Sequence, residues 1–286
     1  MKSPILITGA AGKTGHAVIG ALQERGAGVR ALAHRPEQAA GLRALGVDVV
    51  AAGDLMDKDL LALAFEDVSS VYHVCPNMHP SEVEIADRVI TAALTAGVQH
   101  VVYHSVLHPQ TEAMPHHWQK LRVEERLLES GLPFTILQPA PYMQNVLVHR
   151  QRIVQAGEFT VPYAAATRLS LVDLLDVGAA AAAVLLEPGH RQAIYELVGE
   201  AALTQNDVAA ILGRELGREV IVKEISLDSW RSEAEARGLG KYQVDSLVRM
   251  FQYYEAHGLT GNPTVLRWLL GRAPTTFASF ARREFV

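Results

Sequence analysis

Near the start of the chain an apolar run, Pro4–Thr8, leads straight into Gly9-Ala10-Ala11-Gly12-Lys13-Thr14-Gly15 and then into an amphipathic stretch that reaches Arg25. No other feature constrains the fold as strongly. A continuous apolar run suits a parallel strand covered on both faces. Ala17, Val18, Ala21 and Leu22 repeat at helical spacing, and Gly26 supplies a stop. The glycines between them have separate tasks. The first permits a tight turn, the second lets backbone approach a pyrophosphate, and the third lets helix and strand pack closely. The helix N-terminus adds free N–H groups and a partial positive charge. Strand, loop and helix together read as the start of a Rossmann dinucleotide-binding unit. Gly12-Lys13-Thr14 also imitates the end of a triphosphate-binding loop, but that motif needs a glycine at position 7, where Ile7 stands. A nucleotide triphosphatase is therefore disfavoured.

The rhythm continues. Strands are expected at Val29–Ala33, Val47–Ala51, Ser70–Val74, Val98–Ser105 and Phe134–Gln138, with helices at Pro36–Leu45, from about Asp57, at Glu82–Ala96 and at His117–Ser130. Such alternation implies βαβ units and a doubly wound, mostly parallel α/β sheet. After Pro139 the pattern changes. Residues 141–163 read as irregular chain plus one helix. Short strands are expected at Leu169–Val172 and Ile194–Val198, around an Ala-rich helix that Asp173 and Asp176 would start. Thr204 is expected to cap the helix that follows, with Asp207 at its third position. A strand is expected at Val220–Ile225, and mainly helix from Ser226 onward. The expected domains are a dinucleotide-binding core over 1–139, completed by segments at about 168–200, and a smaller substrate-binding lobe over 140–167 and 201–286.

Composition narrows the partners. The net charge is −5 and Lys or Arg never run together at length, so no nucleic-acid footprint is expected. No apolar stretch approaches the 18 residues of a membrane span. The one cysteine, Cys75, allows no intrachain disulfide. With no secretory leader pattern, a cytoplasmic location is expected. The C-terminal helices offer surface for a homodimer, though no pattern compels one.

An NAD site wants an acid at the end of the second strand. Here the chain reads Ala33-His34-Arg35-Pro36. Arg35, helped by Lys13 and His34, suits the 2′-phosphate of NADP, with NAD the second choice. Asp54 is placed to meet the adenine edge. Ligands of doubly wound sheets gather at the carboxyl ends of the strands. That adds Thr8, Ala11 and Thr14 around the glycines, Leu55 after the third strand, Val74, Pro76 and Asn77 after the fourth, and Pro139 and Tyr142 after the sixth.

These residues resemble the NmrA-like, atypical branch of the short-chain dehydrogenase/reductase superfamily over the whole length. The resemblance rests on the Gly9/Gly12/Gly15 loop, on Gly53-Asp54-Leu55, on His104-Ser105-Val106 and on the block from His116 through Asn145. It implies that the lobe after Pro139 shapes a substrate pocket over the nicotinamide end. It also implies a catalytic set: a Ser after the fifth strand, matched by Ser105, and a Tyr-x-x-x-Lys on the next helix. Lys120 matches the lysine, but His116 stands where the tyrosine would be. Imidazole can act as an acid near neutral pH, with a different reach from a phenol. The expected roles are Lys120 on the nicotinamide ribose, and Ser105 and His116 on the substrate oxygen. The alternative for Lys120 is a surface pair with Glu124, one turn on.

Met78, His117, Tyr142, Met143, Asn145 and Tyr163 are expected to line the substrate site, whereas Trp230 is expected to pack in the core. His100, His104, His108, His116 and His117 crowd around the fifth strand, but nothing completes a ligand set and no metal is expected. The expected activity is NADP(H)-dependent reduction of a small or medium apolar carbonyl, quinone or related compound. A non-catalytic NADP(H) sensor acting on a protein partner is the alternative from another class. A lyase or isomerase on the same fold is a third.

Overall fold

The structure is a computed structural model that describes residues 3–286. Five strand–helix pairs open the chain: β1 (Ile5–Ile7) and α1 (Lys13–Glu24), β2 (Val29–Ala33) and α2 (Pro36–Ala44), β3 (Asp48–Ala52) and α3 (Lys58–Phe65), β4 (Ser70–His73) and α4 (Glu82–Thr95), β5 (His100–His104) and α5 (Pro115–Glu129). β6 (Phe134–Pro139) follows. A 3-10 helix (Met143–His149), α6 (Arg150–Ala156), β7 (Glu158–Val161) and β8 (Leu169–Ser170) lead to α7 (Leu174–Leu186), β9 (Ala193–Leu197) and β10 (Ala202–Leu203). The remainder is α8 (Gln205–Leu216), β11 (Ile221–Glu224), α9 (Leu227–Ala236), α10 (Lys241–His257), α11 (Thr264–Leu270) and α12 (Phe277–Phe285).

The main sheet has seven strands in the order β3-β2-β1-β4-β5-β6-β9. From β3 to β6 every neighbouring pair is parallel. This is the doubly wound order, whose direction of winding reverses between β1 and β4. The loops that leave the carboxyl ends of those two strands therefore flank the crevice where such sheets bind ligands. One face of the sheet is closed by Leu61, Phe65, Ile85, Val89, Val123 and Leu127, packed on Val71, Val101 and Ile136.

The chain divides into two compact units. The first comprises 1–110, 117–138 and 174–195; the second comprises 111–116, 139–173 and 196–286. In the first unit the Ala-rich α7 is buried and packs on α1. The approach is close: a Cβ on Gly178 would lie 2.5 Å from the Ala17 carbonyl oxygen. Asp176 lies in the first turn of α7 as expected.

In the second unit β8 pairs antiparallel with β10, and β7 pairs parallel with β11 in the register Glu158↔Ile221. β7 replaces part of the irregular chain expected over 141–163. Its Phe159 and Val161 alternate inward, a pattern too short to stand out in sequence. Asp173 immediately precedes α7 and is engaged elsewhere. Its fully buried carboxylate accepts from Gln144 at 2.7 Å and from Arg283 at 2.8 and 3.2 Å. Thr204 and Asp207 form the expected capping box on α8, and Trp230 packs edge-on against Phe251, a core role. Among the described residues no helix is long and apolar enough to cross a membrane.

Candidate dinucleotide site

The three glycines behave differently. Gly9 has φ +61, and a Cβ there would meet the Val74 carbonyl oxygen at 2.9 Å. At Gly15 a Cβ would strike the backbone of Ala10 and Gly9 at 2.5–2.6 Å. Gly12 has one near neighbour, the Gly9 carbonyl oxygen at 3.3 Å, and its residue is exposed. Two glycines thus permit the loop to close on itself, and the third leaves its outer side open. Gly12 is also the N-cap of α1, so no side chain caps that helix terminus. An open cradle on an uncapped helix N-terminus fits a pyrophosphate. Thr8, at the base of the loop, is fully buried. Its hydroxyl takes the Val74 N–H at 2.9 Å and lies 2.9 Å from His73 Nδ1, fastening the loop to the end of β4.

Lys13, His34 and Arg35 are all exposed. The Gln38 side chain accepts from the His34 and Arg35 backbone N–H groups, and among the described residues neither the Lys13 ammonium nor the Arg35 guanidinium has an acidic partner. No carboxylate occupies the end of β2. This arrangement suits a 2′-phosphate better than a bare ribose diol. Asp54 is exposed and accepts from the Met56 N–H at 2.9 Å, beside buried Leu55. Pro76 and Asn77 are exposed after β4, whereas Met78 is buried with φ +49.

Behind the carboxyl ends of β4 and β5 lies a buried polar cluster. Lys120 Nζ lies 2.6 Å from Glu82 Oε1 and donates to the His104 carbonyl oxygen at 3.3 Å. Tyr103 donates to the same Glu82 oxygen at 2.9 Å, and Lys120 Nζ sits 5.4 Å from the Tyr103 ring centroid. The Tyr72 hydroxyl lies 2.6 Å from His104 Nδ1. Lys120 is therefore paired with Glu82 on another helix, not with Glu124. Glu124 instead takes the Ser105 hydroxyl and the Gln138 side-chain amide, the latter at 2.9 and 3.0 Å. Burial pushes the Glu124 carboxyl above its ordinary value, against the opposing pull of those hydrogen bonds. Ser105 is wholly buried in this arrangement.

Burial, aided by the Lys120 charge, lowers His73 and His104 to about 3. Burial lowers His117 to about 4; its Nδ1 lies 3.1 Å from the His108 carbonyl oxygen. These imidazoles are neutral near pH 7. His116 is buried on α5, one turn before Lys120. Among the described residues no group of three or more His, Cys, Asp or Glu side chains could hold a metal ion.

In the second unit, Pro139 and Met143 are buried, Tyr142 is half-buried and Asn145 is exposed. The Tyr142 segment is tied to Val172, whose N–H donates to the Pro141 carbonyl and whose carbonyl accepts from the Met143 N–H. Tyr163 stands against Phe251 and Tyr254, with ring centroids 5.8 and 6.2 Å away, and burial raises its hydroxyl above the ordinary phenol range.

The sequence pattern of the NmrA-like family matches residues 1–279. The chain belongs to the NmrA-like family. It is 32% identical over 280 residues to an NAD(P)H azoreductase from Xenophilus azovorans, covering 97% of this chain and 96% of that protein. Quinone oxidoreductase 2 from Escherichia coli (strain K12) is 29% identical over 283 residues, covering 98% of each. The crystal structure of an NADPH-dependent quinone oxidoreductase from Escherichia coli complexed with NADPH superposes with a TM-score of 0.85 at 28% identity, covering 99% of this chain and 100% of that one. The negative transcriptional regulator Nmra, in complex with NAD, shares the fold with a TM-score of 0.78 at 19% identity, over 100% of this chain and 96% of that one.

Two residues of this NmrA-like chain escaped the sequence reading. Glu82 looks like an ordinary acidic helix start, and Glu124 like the solvent-side partner of Lys120. Only the packing of α4 and α5 on β5 turns both inward. The one hint in the sequence is that each falls in step with its helix's apolar stripe, Glu82 before Ile85 and Val89, and Glu124 between Val123 and Leu127.

Proposed function

We propose that this chain is an NADPH-dependent reductase of quinones, azo dyes or related apolar unsaturated compounds. The observation that carries the reading is the open Gly12 cradle on the uncapped terminus of α1, beside three basic side chains with no competing carboxylate. The near full-length likeness to NAD(P)H azoreductase and quinone oxidoreductase 2 supports it. When bound, the cofactor supplies the hydride. In this reading Gly9, Gly12 and Gly15 shape the pyrophosphate cradle, and Arg35, Lys13 and His34 hold the 2′-phosphate. Asp54 and Leu55 border the adenine, and Lys120 carries a fixed positive charge to the ribose. His116, one helical turn from Lys120, is the proposed proton partner of the substrate oxygen. Neutral His117 serves in shape rather than charge.

The second unit takes the substrate-binding role in this proposal, through Tyr142, Met143, Asn145 and Tyr163. A reducing, cytoplasmic setting fits a lone buried Cys75. The test is a titration with NADPH and NADH in parallel, read by nicotinamide fluorescence and followed by NADPH oxidation with a quinone panel. Preference for NADPH together with turnover supports the reading. Binding without turnover on any quinone or dye points to a sensor. Two observations favour that second reading: the Ser105 hydroxyl is already engaged by Glu124, and His116 stands where the usual tyrosine would be.

A further inference from the structure

Lys120 and Glu82 differ in what they can reach. The Lys120 side chain keeps 13% of its surface exposed, whereas that of Glu82 keeps 1%. Glu82 opens α4, where the partial positive charge of the helix terminus favours a carboxylate. Tyr103, from β5, donates to the oxygen that also holds Lys120. The carboxylate is thus pinned from two sides and cannot touch a ligand itself. It fixes an ammonium at the carboxyl end of β5, against the His104 carbonyl, on the edge where doubly wound sheets bind ligands. A free lysine side chain would sample many rotamers, and this one is held in a single place. Stability is a weak reason for the pair, because buried ion pairs are often replaceable by apolar residues at little cost.

We propose that Glu82, locked by Tyr103, is a positioning residue that holds the Lys120 ammonium where the reduction needs it. The proposal rests on the reductase reading above. It predicts that Glu82 acts through Lys120 and through nothing else.

The experiment combines a double-mutant cycle with lysine footprinting on the full-length protein. In E82Q, NADPH-dependent quinone reduction should fall on the order of 10- to 100-fold. In a Lys120→Met background the same substitution should change nothing further, because coupled residues are non-additive. Reductive methylation read by peptide mass spectrometry should find Lys120 slow in the wild type beside exposed Lys13, and markedly faster in E82Q.

If E82Q does not fold, Tyr103→Phe loosens the same carboxylate without altering charge and should move both readouts in the same direction, by roughly threefold. Full activity of E82Q, an equal loss in the Lys120→Met background, or an unchanged methylation rate would each overturn the proposal. Wild-type protein that consumes no NADPH with any quinone would sink the reductase reading alone. The footprint would then still decide whether Glu82 holds Lys120.

Discussion

At the scale of single residues, the glycine loop offers a clean contrast. Gly15→Ala places a methyl against fixed backbone at 2.5–2.6 Å, so it should lower stability by about 1–3 kcal/mol and lose cofactor binding with it. Gly12→Ala meets a single atom at 3.3 Å. It should leave the melting temperature near wild type while NADPH affinity drops at least tenfold (~1.4 kcal/mol); thermal scans and fluorescence titration separate the two effects. Arg35→Ala should weaken NADPH on the order of 10- to 100-fold and leave NADH nearly unchanged, since a charge-assisted bond to the 2′-phosphate contributes about 1.5–3 kcal/mol. Equal losses for both nucleotides would remove Arg35 from the phosphate site. The reading of these residues from the sequence rests on residue type and local spacing alone. Glu82 and Glu124 were not legible there, because their partners Tyr103, Lys120, Ser105 and Gln138 lie 14 to 38 residues away and are chosen by packing.

At the scale of elements, the alternation of apolar runs and amphipathic stripes located every strand from β1 to β6, with ends off by a residue or two. The strands β7 and β10 were not expected from the sequence. β7 turns only Phe159 and Val161 inward and β10 spans only Ala202–Leu203, so neither leaves a periodic trace in the sequence. The Ala-rich α7 was legible as a buried helix, but not why it is Ala-rich. The answer is its close approach to α1, and Gly178 marks the tightest point. Gly178→Ala would add a methyl 2.5 Å from the Ala17 carbonyl oxygen. It should cost about 1–3 kcal/mol in urea unfolding, although alanine is the better helix former. A stabilised variant would mean that the two helices part easily. Arg283→Met tests a second junction. It removes an ion-pair partner from a fully buried Asp173, and about 2–3 kcal/mol should be lost, discounted because the arginine is one-third exposed and Gln144 remains.

At the scale of the whole molecule, acid should unfold this protein earlier than its carboxylates alone would require. Burial holds His73 and His104 at about 3 and His100 and His117 at about 4, against about 6.5 in an unfolded chain. The unfolded state therefore takes up protons first as pH falls. Stability is full above about pH 6.5 and declines from there towards about pH 4 for His100 and His117 and about pH 3 for His73 and His104, by up to about 1.4 kcal/mol per pH unit for each imidazole. Melting temperatures at pH 7.5 and 5.5 should differ clearly, in a range above the ordinary carboxylate value of about 4; a flat profile would mean that the buried rings accept protons without penalty. The alternation of strands and helices implied a mostly parallel sheet, but not the order of the strands, whose winding reverses between β1 and β4. From the sequence, a core over 1–139 completed by segments at about 168–200 is expected. The first unit takes in α7 and the start of β9 from beyond residue 173, and that carries a consequence for synthesis. When the ribosome has released β6, the apolar edge of that strand and the face of α1 that α7 covers are both still bare, and they stay so until some fifty more residues emerge. For that interval the β6 edge is open to pairing with a neighbouring chain, until β9 takes its place beside it.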